Sequence, residues 1–386
     1  MKTVCDRNDC TGCGLCASLC PQRCIEMQSV DKLGHLFPVI DASRCIDCGK
    51  CRKICPSLGE VTLTAPSTAY AAWAKDTEDY KSSASGGAAS VMSRRILQKG
   101  GVVYGCAMLP GVEVKHIRVE KEDELTLLKG SKYVQSDIRE ALSLIKNDVG
   151  SGRPVLFTGT PCQVAAVKNL FGAQQPDNLF LVDLVCHGVP SVNLLRSHCG
   201  RIVPFRNCRS VVFREGTGFC LKLISGDDRV AVYESYLDTG RYKDFYINSF
   251  FDGYTYRESC YGCRYARPER VGDVTIGDFW GLGKSAPADM IPDHPDGCSL
   301  VMPITSKGLG LVEEIKPQMN IFERPVSESV EGNDQLRSPM RKGPRKVLYR
   351  ALARHTEGRW PYYLVVADLR VRRKLKIFFG KRRNCK

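Results

Sequence analysis

Cys10, Cys13, Cys16 and Cys20 follow the spacing C-x-x-C-x-x-C-x-x-x-C and are closed by Pro21, and Cys45, Cys48, Cys51 and Cys55 repeat it and are closed by Pro56. No pattern in the chain constrains folding more. Three thiolates this close wrap a tight loop around one 4Fe-4S cube, and the fourth reaches across to the other cube. The spacing therefore predicts one cube on Cys10, Cys13, Cys16 and Cys55, and a second on Cys45, Cys48, Cys51 and Cys20. Gly12, Gly14 and Gly49 let the backbone approach each cube, and the prolines turn the chain after the crossing cysteine. Zinc prefers two separated C-x-x-C pairs and does not explain matched runs of four with trailing prolines. Cys5 and Cys24 lie outside the pattern and read as spare thiols. A G-x-G-x-x-A match from Gly12 to Ala17 sits inside a cluster loop, without the strand–turn–helix setting a dinucleotide site needs.

Twenty cysteines in 386 residues point to metal in a cytosolic chain, where disulfides are rare. Hydrophobic residues at 43% and charged residues at 25% give an ordinary globular balance with material for two or three domains. No apolar run reaches the roughly 18 residues of a spanning helix. Met1 to Asp9 has no apolar stretch and reads as a mature start. The net charge of +14 is concentrated at one end: residues 337–386 hold 17 Lys and Arg against Glu357 and Asp368, leaving 39 basic and 40 acidic groups elsewhere. A nucleic-acid-coating protein would be basic across its domains, so no nucleic-acid partner is expected.

The expected organisation is a two-cluster domain over 1–60, a small and polar linker over 61–69, a body over 70–335 and a basic tail over 336–386. The body divides at about 150 into an N-terminal part and a C-terminal part. Within it, Ala88 to Gln98 reads as a helix stopped by Gly100 and Gly101, and Val102 to Met108 and Val112 to Val119 as strands. Helices are predicted over Lys121 to Leu128 and Ser136 to Asp148. Two strand–loop–helix units follow, one passing through Gly159-Thr160-Pro161-Cys162-Gln163, the other through Cys186-His187-Gly188-Val189-Pro190-Ser191. Residues 209–235 read as antiparallel strands. The fold class expected is an α+β ferredoxin-like N-terminal domain joined to a mixed α/β flavin-binding body.

Loops at the carboxyl ends of strands form the sites of open α/β sheets, and both of these units put a cysteine there. Cys162, at a helix start, reads as an activated nucleophile, as a buried apolar cysteine or as a metal ligand. Cys260 and Cys263 form a C-x-x-C that alone could be half of a zinc site. Cys162, Cys186, Cys260 and Cys263 together make a possible set for a third cluster. Ser85, Gly86 and Gly87, closing SSASGG before a helix, offer backbone N–H groups to an anion such as a flavin phosphate. Ser131, Lys132 and Tyr133 offer a cation and hydroxyls.

SSASGG at 82–87, GSKYVQS at 130–136, GTPCQ at 159–163, CHGVPS at 186–191, C-x-x-C followed by GDFWG over 260–281, and DGCSLVMPITSKG at 296–308 occur in one order. In this the chain resembles the coenzyme F420 hydrogenase/dehydrogenase beta-subunit family over about residues 68–315. A ferredoxin module is a common fusion partner there. The resemblance implies a flavin (FAD, or FMN), a body 4Fe-4S cluster on Cys162, Cys186, Cys260 and Cys263, and hydride exchange with deazaflavin F420 or another small-molecule carrier or substrate. It implies an enzyme, a flavin- and iron–sulfur-dependent oxidoreductase passing electrons to ferredoxin or a partner oxidoreductase subunit. Bacterial relatives with the same fusion resemble components of surface-polysaccharide gene sets, which implies polysaccharide-related metabolism as a setting. The alternative is a noncatalytic subunit wiring a partner enzyme to ferredoxin. A flavin accepts two electrons as hydride while each cluster carries one, so the set converts two-electron into one-electron chemistry.

In the tail, Leu364, Ala367, Val371, Leu375 and Phe378 fall at helical spacing with Arg370, Arg372, Arg373, Lys374 and Lys376 on other faces. Such a helix either packs its stripe on the body or lies on an anionic membrane surface. The expected location is the cytoplasm, with peripheral contact at the inner membrane face as an option.

Overall fold

The structure, a computed structural model, describes residues 3–226, 231–239, 242–354, 356 and 358–373. Strands β1 (Ile25–Ser29) and β2 (Leu36–Ile40) pair antiparallel as the small sheet of the N-terminal domain. Its two cysteine runs fold alike. The short helices Leu15–Ser18 and Lys50–Lys53 are each entered through a left-handed glycine, Gly14 at φ 75° and Gly49 at φ 71°. Only glycine takes that turn without a steric penalty.

The body is built on eight strands: β3 (Ala69–Ala74), β4 (Val102–Leu109), β5 (Glu113–Val119), β6 (Val155–Gly159) and β7 (Leu179–Leu184), with three more further along the chain. Between these groups β8 (Cys208–Glu215), β9 (Gly218–Ser225) and β10 (Ala231–Tyr236) form a separate antiparallel sheet. The large sheet is completed by β11 (Val274–Asp278), β12 (Ser299–Pro303) and β13 (Met319–Arg324), in the order β13-β3-β12-β11-β7-β6-β4-β5. Strands β4, β6, β7 and β11 run parallel at its centre. β5, β12, β3 and β13 join antiparallel on the flanks.

Strands covered on both faces read as continuous apolar runs: four of the five residues of the central β6 are buried, and so are all six of β3, which is flanked by β12 and β13. Helices Ala88–Gln98 and Ser306–Ile315 cover one face. Helices Arg139–Gly150 and Pro161–Phe171 cover the other, where Leu15 of the N-terminal domain enters the same core.

Two expectations of secondary structure are corrected. The stretch over 121–128 is a 3-10 turn, Asp123–Leu128, rather than an α-helix. The next helix starts at Arg139 and not at Ser136, because Asp137 is paired with the β5 backbone: the His116 N–H donates to the Asp137 carbonyl at 2.8 Å. Residues 61–69 do not hang free. Thr64 and Arg270 exchange backbone hydrogen bonds at 2.9 and 2.8 Å, and Val61 and Leu63 pack against the core.

The basic end is folded onto the body as helices Pro344–Ala353 and Arg359–Val365, with a further helical stretch over 367–373. Tyr349, Tyr362, Val365 and Val366 are buried with Phe245 and Tyr254. The face that packs is thus not the anticipated stripe: Leu364 and Val371 are 65% and 58% exposed, and Trp360 beside them 79%. Leu375, Phe378, Lys374 and Lys376 lie outside the described residues. Among the described residues no helix is long and apolar enough to cross a membrane.

Candidate electron-transfer site

The two N-terminal runs make two separate pockets. Cys10, Cys13, Cys16 and Cys55 line one of about 320 Å³, counting space open to solvent. Cys20, Cys45, Cys48 and Cys51 line the other, of about 340 Å³. The crossing cysteines thus stand where the spacing places them. Cys5 lines the first pocket and Cys24 the second, so neither is remote; the Cys24 and Cys20 sulfurs are 3.5 Å apart.

The four body cysteines arrive from three elements. Cys162 opens the helix after β6, Cys186 follows β7, and Cys260 and Cys263 sit at the 3-10 turn Glu258–Gly262 and its end. They come together: Cys260 and Cys263 act electrostatically on Cys162, and all three on Cys186. Burial, reinforced by these neighbours, pushes the Cys162 thiol up to about 12. Burial likewise raises Cys260 to about 11 and Cys186 well above the usual range. A nucleophilic cysteine needs a lowered pKa, and burial acts on Cys162 in the opposite direction. Four neighbouring, half-buried thiols are held as thiolates by a cationic core. Among the described residues no three His, Cys, Asp or Glu side chains converge as a single ion requires. Four cysteine thiolates are the ligand set of a 4Fe-4S cube.

A buried carboxylate bolts this site together. Asp183 of β7 accepts from Arg270 at 2.6 Å, from Thr275 at 2.9 Å and from the Gly272 N–H at 2.8 Å. Arg270 donates onward to the Tyr265 carbonyl at 2.7 Å and the Leu184 carbonyl at 3.0 Å. The loop bearing Cys186 and the segment after Cys263 are therefore held in one frame. The Thr160 hydroxyl, 3.3 Å from the Cys162 sulfur, completes the local hydrogen bonding.

The N-terminal domain docks with its first pocket toward this site. Cys13 packs in the same apolar cluster as Cys162, Cys263 and Tyr265. Around that contact, Gln135 donates to the Thr11 carbonyl at 2.9 Å, Ser259 to the Cys10 carbonyl at 3.1 Å and Arg264 to the Pro56 carbonyl at 2.8 Å. Arg257, 1% exposed, donates to the carbonyls of Cys10 and Leu36. The sequence pattern did not single out Arg257; its one signal was a basic residue three positions before Cys260.

The flavin-loop candidates lie at 82–87, after the short helix Thr77–Lys81, and at 130–136. Lys129 bridges the two loops, donating to Ser82 at 2.6 Å and Asp79 at 2.8 Å. A side chain on Gly86 would fall on the Ala72 carbonyl of β3, so the loop can lie this close only with glycine there. Ser85 has a buried hydroxyl with no hydrogen-bond partner among the described residues. Such a donor above the N-terminus of helix Ala88–Gln98, with Gly87 as its N-cap, suits a phosphate. Lys132 donates to the carbonyls of Leu128 and Lys129 at 2.8 and 2.7 Å, and burial lowers its pKa. Tyr133 stacks on Phe250 with ring centres 4.6 Å apart. Nearby Arg214, unremarked in the sequence, grips Asp278 at the end of β11 at 2.8 Å and leaves its Nε buried and unpaired. Phe219 and the half-exposed Trp280 continue this wall. His187 is solvent-accessible, yet its surroundings lower its pKa by desolvation. These residues fit a flavin: a phosphate end at Ser85 to Gly87, and an aromatic, partly charged wall toward His187. A bound flavin would supply hydride exchange and one-electron release there.

The fold and donor sets define an iron–sulfur electron-transfer protein: a dicluster domain docked on an α/β body with a further cysteine site at its strand ends. Residues 9–58 match the 4Fe-4S dicluster domain, and residues 152–329 match the family described as the C terminus of the coenzyme F420 hydrogenase/dehydrogenase beta subunit. A dicluster domain thus stands ahead of a segment similar to the C terminus of the coenzyme F420 hydrogenase/dehydrogenase beta subunit. A chain from the F420-reducing [NiFe] hydrogenase complex of Methanosarcina barkeri is similar at 17% identity and a TM-score of 0.45, over 71% of this chain and 91% of that one. No curated protein matches the chain.

Proposed function

We propose that this protein is a flavin- and iron–sulfur-dependent oxidoreductase that exchanges hydride with a small carrier at His187, Trp280 and the flavin loops, and passes single electrons through a body cluster to the dicluster domain. A deazaflavin of the F420 type is the carrier the family suggests. The observation that carries the reading is the shared apolar cluster of Cys13, Cys162, Cys263 and Tyr265. In this reading a ligand of the first N-terminal cube and the body cysteines pack against one apolar cluster, and Cys162 acts electrostatically on Cys13. In this reading Cys162, Cys186, Cys260 and Cys263 hold the body cube, Ser85, Gly86 and Gly87 the flavin phosphate, and Ser131, Lys132 and Tyr133 its neighbouring edge. The electrons leave to ferredoxin or a partner subunit.

Anaerobic purification with flavin, iron and sulfide quantified together tests this. Bound flavin with about twelve irons per chain supports it. Full iron with no flavin retained or rebound favours the noncatalytic electron-transfer subunit. Lys132→Met is expected to weaken flavin retention about tenfold, in line with losing one charge-assisted contact, while iron content stays at the wild-type level. Fluorescence titration of the flavin-free protein reads the change.

The exposed face of the C-terminal helices supports a second contact. Trp360, Leu364 and Val371 repeat at helical spacing on a segment dense in arginine. That combination suits an anionic lipid surface, with tryptophan at the interface. Because Tyr362 and Val365 are buried, cutting the chain at Gly358 would damage the core. The double change Trp360→Glu with Leu364→Glu leaves the core intact. It is expected to abolish cosedimentation with anionic vesicles at low salt; equal binding by both chains, or none by the wild type, would end this reading.

A further inference from the structure

Arg257 is a buried cation without a carboxylate partner. Its guanidinium donates to the Gln135 side-chain oxygen at 3.1 Å, to the Cys10 carbonyl at 3.2 Å and to the Leu36 carbonyl at 2.6 Å. It also lies over the Phe37 ring, 4.7 Å from the centroid. Among the described residues no acidic side chain is in ion-pair contact with it; the nearby Asp31 is paired with His35 at 3.2 Å. Burying a charge without a counter-ion is costly, and native proteins retain one only where an opposite charge compensates. The other buried arginines follow that rule: Arg270 is paired with Asp183, and Arg214 with Asp278.

The anion is supplied by position. Arg257 stands between the first N-terminal pocket and the body cysteines. It touches the Cys10–Gly12 loop on one side, is three residues from Cys260 on the other, and its charge reaches Cys10, Cys162 and Cys260. A side chain on Gly12 would collide with the guanidinium, which is how the loop and the cation come so close. A cube with four thiolates is net negative, and one electron makes it more so, without any bond forming or breaking.

We propose that Arg257 is the shared counter-charge of the first N-terminal cube and the body cube, holding both reduction potentials up so that an electron can rest on either. This rests on the reading that the body cysteines hold a cube. Arg257 acts through the clusters' field and is a positioning residue. Among the described residues Arg257 makes no hydrogen bond to the loops bearing Cys20, Cys45, Cys48 and Cys51, so the second N-terminal cube is expected to lie outside its reach.

The test is a potentiometric titration of the full chain followed by electron paramagnetic resonance. Arg257→Gln is expected to raise the oxidised-to-reduced ratio of two clusters at least tenfold at fixed ambient potential, which is 59 mV for one electron, and to leave the third unmoved. Arg257→Lys keeps the charge and loses the guanidinium geometry, so both potentials should stay near wild type. Asn193→Ala removes a neutral docking bond to the Gly34 carbonyl and should move none. Unchanged potentials in Arg257→Gln at full iron, an equal shift of all three clusters, or a Lys variant as low as the Gln variant would each overturn the proposal. Should the Gln variant not fold with full iron, Gln135→Glu, which sets a carboxylate on the guanidinium where the Gln135 oxygen now lies at 3.1 Å, is expected to lower the same two potentials, and unchanged potentials there would overturn the proposal. A wild-type chain with only two clusters would instead defeat the body-cube reading, and the first N-terminal cube alone would then carry the test.

Discussion

Replacing Cys260 and Cys263 by serine together is expected to remove one third of the iron, from about twelve to about eight atoms per chain, and to disconnect the dicluster domain from the flavin. Both thiols come from one turn, so two of four ligands vanish while the strand-borne pair, Cys162 and Cys186, remains. Two thiolates do not hold a cube. The flavin loops around Ser85 and Lys132 belong to other elements, with their own anchors in Asp79 and Lys129. Flavin should therefore still bind and still be bleached by its two-electron reductant. Reduction of the N-terminal cubes by that reductant should fall by orders of magnitude, because the intermediate carrier is gone. Iron and sulfide analysis with stopped-flow absorbance measures both effects. If the double variant keeps all its iron, or if its N-terminal cubes are reduced at the wild-type rate, the body cysteines are not on the path. Point substitutions are the right instrument, since a fragment beginning at residue 68 would strip Leu15 and Leu33 from two cores of the body.

Asp183→Ala is expected to cost about 3–5 kcal/mol, the range for stranding one partner of a buried ion pair. Arg270, 2% exposed in its side chain, would keep its charge with no acid to meet it. The Gly272 N–H and the Thr275 hydroxyl would lose their acceptor as well. The loss reaches the site because Asp183 fastens the β7 end, three residues before Cys186, to the segment that follows Cys263. Urea unfolding under anaerobic conditions should show the lower midpoint, and iron analysis the loss of one cluster. Asp183→Asn, which keeps acceptors but not the charge, should lie between the variant and the wild type. An alanine variant that is fully stable, with all its iron, would mean that the bolt carries neither fold nor site.

Much of this was legible in order and spacing alone. The two cysteine runs are local: each loop is a dozen residues long, so its geometry follows from sequence separation and from glycines such as Gly14 and Gly49 that take φ positive. The strand–loop–helix units at Cys162 and Cys186 were legible for a related reason, as apolar strands of a buried parallel sheet read as unbroken runs. The extent of the helix after Ser136 was not, because the competing partner of Asp137 is β5, some twenty residues upstream. The face of the C-terminal helix was misjudged because periodicity finds apolar stripes without saying which is covered; Tyr362, Val365 and Val366 won the body contact over Leu364 and Val371.

The ligand-bearing loops of the dicluster domain and the order of body motifs follow from residues close along the chain, so spacing alone carries them. That Cys162, Cys186, Cys260 and Cys263 lie near one another and near Cys13, and that Arg257 and Asp183 stand where they do, is visible only in the folded chain. Those are contacts between residues up to about 250 apart in the chain, set by sheet order and domain docking. Long-range juxtaposition depends on how whole faces pack, and no local pattern encodes it.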